Sequence, residues 1–150
     1  MVRHARGDNR IEVVVCYTDG SSIGNPGPSA WAYLMYDETI SGRVPCATNN
    51  QMEMVAIIKA INGCDRAVNL HVVSDSKIAL GMIMRRWKGA NPILQALRDE
   101  AIHTAFLKCI RLSGQLIKGH AGNRWNNMVD ERARLESKRE QSSQLATAKW

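Results

Sequence analysis

Two short stretches each place an acid where chemistry is commonly done. Val13-Val14-Val15-Cys16-Tyr17-Thr18-Asp19-Gly20-Ser21 is a near-continuous apolar run that stops on a carboxylate and a glycine. Val72-Val73-Ser74-Asp75-Ser76 repeats the design. Apolar runs of this kind suit strands buried on both faces. In open α/β sheets, ligands sit beyond the carboxyl ends of parallel strands. A lone Asp after a strand is usually a turn residue. Two of them in the same setting would face each other across one crevice. Carboxylates that close repel unless a proton or a cation lies between them. The pair therefore implies either a proton-sharing dyad or a divalent metal site.

Other residues join these two as candidates. Glu53 lies within Met52-Glu53-Met54-Val55-Ala56-Ile57-Ile58, apolar nearly all round and so a buried helix. An acid near a helix start has a plain reason in the helix dipole. The two strand-end acids favour a metal-ligand role instead. Asn126 and Asp130 are four residues apart, on one face of a final helix. His120 sits in the loop Gly119-His120-Ala121-Gly122, where a histidine beside a metal site can move protons. The turn-rich Gly20-Ser21-Ser22-Ile23-Gly24-Asn25-Pro26-Gly27-Pro28 is either a tight connection or a place where a ligand approaches the backbone. Arg85-Arg86-Trp87-Lys88 either grips phosphates and stacks on a sugar or base, or is a solvated helix end.

The elements that must position these groups follow from pattern and punctuation. Residues 1–10 read as a loose basic arm, and the first strand covers roughly 11–19. Ala30–Tyr36 and Ile40–Cys46 read as two strands joined by a turn at Asp37-Glu38-Thr39, so they are antiparallel. Thr48-Asn49-Asn50 offers caps for a helix that Gly63 stops. A strand at 70–74 returns after this crossover and should be parallel to the first. A helix starts near Ser76, runs into the basic residues and breaks at Gly89. Asn91-Pro92 opens another helix, whose periodic apolar residues read as packing. Leu112–Lys118 holds the last strand, a final helix spans about 123–138, and the polar residues that follow are expected to fray.

Composition bounds the rest. The 150 residues, 45% of them apolar, are enough for one domain with a core. No stretch suits a bilayer span. The basic N-terminus leads into Gly7-Asp8-Asn9-Arg10 rather than an apolar segment, so no signal peptide is expected. The cysteines at 16, 46, 64 and 109 form no C-x-x-C pair, which argues against structural zinc and for reduced thiols in the cytoplasm. A net charge of +6 around clustered acids suits a polyanionic partner held near bound cations, although solubility alone also explains it.

The ordered set Asp-Gly-Ser…Gly-Asn-Pro-Gly-Pro, Thr-Asn-Asn-x-Met-Glu, Ser-Asp-Ser and Gly-His-Ala-Gly…Asn-x-x-x-Asp resembles ribonuclease H of the bacterial HI type. The match extends from about Tyr17 to Ala133. It implies an α/β, ribonuclease H-like fold: a five-stranded mixed sheet, first three strands antiparallel and last two parallel to the first, with helices on both faces. The domain would be residues 11–138, flanked by the basic arm and a frayed tail over 139–150. The implied activity is endonucleolytic hydrolysis of the RNA strand of RNA–DNA hybrids, leaving 5′-phosphate and 3′-hydroxyl ends.

By the same resemblance, Asp19, Glu53, Asp75 and Asp130 hold two Mg²⁺ ions, for which Mn²⁺ can substitute. Two such ions roughly 4 Å apart can clamp the attacking and leaving oxygens of an in-line displacement. His120 matches the family's mobile histidine. Gly20, Ser21, Ser22, Asn25, Asn49 and Asn50 match minor-groove positions, where 2′-hydroxyls distinguish RNA from DNA. Thr48 matches a contact to the DNA-strand phosphate. Lys77 and Asn126 complete the implied substrate contacts. Lys77 departs from the family, which often has Gln there, and the basic protrusion is reduced to Arg85-Arg86-Trp87-Lys88-Gly89. A monomer acting in the cytoplasm on a hybrid duplex, with no membrane partner, is the expected form. A binding module that no longer cuts, and a nuclease acting on DNA or junctions, are the competing readings.

Overall fold

The computed structural model describes residues 11–89, 91–119 and 122–148. Five strands form one sheet in the order β3-β2-β1-β4-β5. They are β1 (Val13–Ser22), β2 (Gly27–Met35), β3 (Glu38–Ala47), β4 (Asn69–Ser74) and β5 (Arg111–Leu116). The helices are α1 (Asn49–Asn62), α2 (Lys77–Met84), α3 (Pro92–Leu107) and α4 (Arg124–Ala148). β1, β2 and β3 pair antiparallel, while β4 and β5 run parallel to β1. The expected mixed sheet is therefore present, and β1 lies at its centre.

Alternation along β1 sorts the two faces. Val14 and Cys16 are buried toward α1, α2 and α3, where Met54, Ile57, Ile61, Leu70 and Val72 form the main core. Tyr17 and Asp19 fall on the opposite face, under α4. There Val129 and Ala133 pack against Ala32 and Leu34, with Tyr17 alongside. Helices thus lie on both faces of the sheet.

Local chemistry sets the helix starts. The Thr48 side chain accepts from the Gln51 N–H while the Gln51 side chain accepts from the Thr48 N–H. This reciprocal pair caps α1. Ser76 caps α2 and Asn91 caps α3, with Pro92 in the first turn.

Three expected boundaries are corrected. β1 runs on to Ser22 because Gly20, Ser21 and Ser22 pair with Trp31, Ala30 and Ser29 of β2, so Asp19 lies within the strand rather than at its end. α2 ends at Met84 rather than running on to Lys88. The reason is tertiary: Arg86 takes a left-handed conformation with φ 56°, the Trp87 N–H donates to the Gly81 carbonyl, and the Trp87 ring folds back over Gly81. α4 continues past 138 to Ala148 instead of fraying. Its polar residues are good helix formers, and two contacts tie the extension to the edge strand. Gln144 Nε2 donates to the Pro45 carbonyl at 2.7 Å, and Arg43 pairs with Glu140 at 3.9 Å. The basic arm, residues 1–10, lies outside the described residues.

Candidate active site

Asp19 is the centre of the site. It sits within β1, opposite Ala32 of β2, and is only 3% exposed. One of its oxygens accepts from the Gly20 N–H at 2.9 Å. Asp75 follows the last residue of β4, which is parallel to β1, so both acids emerge at the same end of the sheet. Its neighbours hold the turn: Ser74 accepts from the Ser76 N–H at 3.0 Å, and Ser76 accepts from the Ala79 N–H at 3.1 Å.

Glu53 arrives from α1 because Gly20 lets that helix touch the strand. A Cβ at Gly20 would lie 2.5 Å from the Glu53 nitrogen and 2.6 Å from the Met52 Cβ. No side chain fits there, and the close approach carries Glu53 over Asp19. Gly119 plays a similar part at the other rim, where a Cβ would meet Asp75 Oδ2 at 2.8 Å.

One oxygen from each of Asp19, Glu53 and Asp75 lies within 4.8 Å of the other two. Asp130, on α4, is not one of these three; it adds negative charge beside Asp19 and accepts from Arg134 Nε at 3.2 Å. Without a counter-ion such a cluster must hold protons. Burial, followed by the charges of Asp75 and Asp130, pushes the Asp19 carboxyl up to about 8. Burial and the Asp19 and Asp75 charges raise Glu53 well above the usual carboxylate range. Glu53 Oε1 is buried with no hydrogen-bond partner in the protein. A buried acceptor without a donor, among converging carboxylates, fits a divalent cation that prefers oxygen ligands.

The residues implied as substrate contacts lie at the end of β1, in the β1–β2 turn and at the starts of α1, α2 and α4. Gly20, Ser21 and Ser22 occupy the end of β1. Their hydroxyls are already engaged: Ser21 bonds to Ser137 at 3.1 Å, and Ser22 donates to the Ala47 carbonyl at 2.8 Å. Asn25, in a left-handed conformation with φ 34°, accepts from the Asn49 N–H at 2.8 Å. This bond joins the β1–β2 turn to the first turn of α1, where Thr48, Asn49 and Asn50 also lie. Asn126 is 1% exposed, and its Oδ1 has no partner in the protein. Lys77 is exposed at the start of α2, beside Asp75. His120 lies outside the described residues.

Three contributors were not picked out as site residues in the sequence. Asn123 Oδ1 accepts from the Asn126 N–H at 2.9 Å and so caps the helix that carries Asp130. Arg134 could have been found, since it stands four residues after Asp130. Tyr17 and Trp125 stack with ring centroids 6.0 Å apart, a pairing that no local spacing announces.

The sheet order and the acid cluster at its carboxyl end define an α/β protein with a carboxylate-lined site. The sequence model of the RNase H family matches residues 11–138. A ribonuclease H of Chlorobium phaeovibrioides is 35% identical, over 81% of this chain and 93% of its own. One from Thermoanaerobacter sp. is 32% identical, over 87% and 94%. The N-terminal RNase H domain of a Mycobacterium tuberculosis protein superposes with a TM-score of 0.78 at 24% identity, over 89% of this chain and 99% of that one. LC11-RNase H1, solved in complex with an RNA/DNA hybrid, gives 0.68 at 23% identity, over 79% and 94%. The chain belongs to the RNase H family and is a ribonuclease H enzyme. Among the described residues, no helix is long and apolar enough to cross a membrane.

Proposed function

We propose that this chain is an endonuclease that hydrolyses the RNA strand of RNA–DNA hybrids and leaves 5′-phosphate and 3′-hydroxyl ends. The observation that carries the reading is the convergence of Asp19, Glu53 and Asp75 within 4.8 Å, together with a buried Glu53 oxygen that has no hydrogen-bond partner in the protein. Asp19, Glu53, Asp75 and Asp130 would hold two Mg²⁺ ions, or Mn²⁺ in their place. When bound, such ions supply activated water and neutralise charge at the scissile phosphate. The fit lies in the donors: among the described residues the converging ligand atoms are carboxylate oxygens, which suits a hard cation.

The protein's own part is to fix those carboxylates and the substrate. Asp19, buried beside the charges of Glu53, Asp75 and Asp130, would be the central ligand of that set. His120 moves a proton as the product departs. Asn25, Asn49, Asn50 and the backbone of Gly20–Ser22 read the minor groove, where the 2′-hydroxyls identify the RNA strand. Thr48 contacts a DNA-strand phosphate, Lys77 adds a charge at the rim, and the buried Asn126 oxygen awaits a donor. Contacts to sugar and phosphate give binding without sequence preference. Residues 11–138 form the working domain of a monomer acting in the cytoplasm.

Matched hybrid, duplex DNA and duplex RNA test the reading, each incubated with the protein in Mg²⁺ and in Mn²⁺. Only the hybrid should be cut, and only in its RNA strand. Equal cleavage of duplex DNA would replace the reading with a different nuclease. Hybrid binding without any cleavage would reduce it to a binding module.

A further inference from the structure

The four acids are not held alike. Asp19 and Asp75 sit on, or directly after, strands paired to each other, with Tyr17 opposite Val73 in the ladder. Glu53 is fixed by the backbone contact of α1 with Gly20. Asp130 rides on α4, which meets the sheet through side chains: Val129 and Ala133 on Ala32 and Leu34, Ser137 on Ser21, and Trp125 on Tyr17.

We propose that Trp125, stacked on Tyr17, is a positioning residue that sets where Asp130 stands relative to Asp19. Tyr17 is two residues before Asp19 on the same face of β1, so the stack ties α4 to the strand that carries the central acid. Trp125, Val129 and Ala133 recur at i, i+4 and i+8, one stripe facing the sheet. Asp130 falls between two anchors on β1, Trp125–Tyr17 before it and Ser137–Ser21 after it. The second anchor is a single hydrogen bond at 3.1 Å. The first brings together two rings with centroids 6.0 Å apart and planes 23° apart, and it fixes the first turn of the helix, where Asn126 is also buried. Without the stack, the first turn loses its ring contact with β1 while Val129 and Ala133 still pack on β2, so Asp130 can shift relative to Asp19.

Trp125 is 46% exposed, with the Arg124 guanidinium 6.0 Å from its ring centroid. Exposure beside a nucleic-acid site invites a different role, stacking on a base. That role strengthens substrate binding and leaves cation binding alone, so the two are separable. The inference rests on the reading of the four acids as cation ligands.

Calorimetric titration of the hybrid-free protein with Mn²⁺ tests it, together with kcat and KM for hybrid cleavage at fixed Mg²⁺. Trp125→Ala should weaken Mn²⁺ binding by about tenfold, the scale seen when groups that orient metal ligands are removed. It should lower kcat at subsaturating Mg²⁺ and leave KM for hybrid within about twofold, since uniform substrate binding is intact. Trp125→Phe should restore both, because a ring still lies on Tyr17. Trp125→Leu and Tyr17→Leu give the same readout if Trp125→Ala fails to fold. Unchanged Mn²⁺ binding, failure of Phe to rescue, or a raised KM with kcat preserved overturns the proposal. The nuclease reading fails separately: it falls if the wild type does not cut hybrid or if Asp19→Asn still does, whatever Trp125 variants do to Mn²⁺.

Discussion

Two parts of the same site are built in opposite ways. Asp19, Glu53 and Asp75 hang on backbone: a parallel ladder, a serine-locked turn and a helix pressed onto a glycine. Asp130 hangs on side chains, through one helix stripe laid against β1 and β2. Backbone ladders hold register strongly, because a one-residue slip turns every side chain to the other face. Packed side chains allow smaller adjustments. The contrast teaches that three acids are preset by the sheet, while the fourth is tuned by what lies under α4.

The largest test removes the centre of the rigid part. Asp19→Asn should abolish hybrid cleavage, by about a thousandfold or more, since several kcal/mol of charge stabilisation is lost. The same variant should raise the cation-free melting temperature near neutral pH, because an amide needs no proton to sit buried beside Asp75 and Asp130, whereas the Asp19 carboxyl must take one up on folding. Single-turnover assays and thermal melts read the two effects. Activity near wild type would break the comparison at once.

Gly20→Ala comes next. Its methyl would lie 2.5 Å from the Glu53 nitrogen, so α1 must shift. Overpacking of this kind should destabilise by about 1–3 kcal/mol, measured by urea unfolding, with cleavage falling as Glu53 moves off Asp19. A neutral result would show that Glu53 is not held by this contact.

Proton release gives a graded test. Asp19 has an ordinary value of 3.8 that is raised to about 8 in the folded state by burial and neighbouring charge. The folded protein therefore keeps a proton that the unfolded chain has released. Cation-free stability should fall as pH rises from about 4 to about 8. Saturating Mg²⁺ should flatten that slope, since the cation takes the proton's place. Thermal melts across this range, with Mg²⁺ and with chelator, check the sign. A slope that chelator does not change would detach the acids from cation binding.

The smallest effect concerns the rim. Thr48→Ala removes one half of the α1 capping box and should cost about 1 kcal/mol, read by urea unfolding. Cleavage should fall little unless Thr48 also holds a phosphate, in which case KM rises.

Much of the rigid part was legible in the sequence, because it follows local rules. The valine runs that lead to Asp19 and Asp75 announced two acids on neighbouring strands, although β1 runs on past Asp19 to Ser22, and Thr48 with Gly63 bracketed α1. Glu53 was ambiguous by pattern alone, since a helix dipole explains an acid there equally well; the Gly20 contact that brings it to Asp19 is tertiary. The stack of Tyr17 on Trp125 was hidden for the same reason, since the two residues are far apart in the sequence. Polar composition after residue 138 suggested fraying, but Gln144 and Glu140 find partners on β3. The basic run after α2 read as helix until Trp87 folded back on Gly81, a contact that requires that glycine's bare face. Each miss involves a contact between residues distant in the sequence or across the α2 turn, joined in α4 by the helix propensity of its polar residues.

Calorimetric titration of the cation-free protein with Mn²⁺ at pH 8, wild type beside Asp19→Asn, bears most directly on the convergence of the four acids. The account predicts saturable binding by the wild type and none by Asp19→Asn. Identical isotherms for the two proteins, or no binding by either, would contradict it.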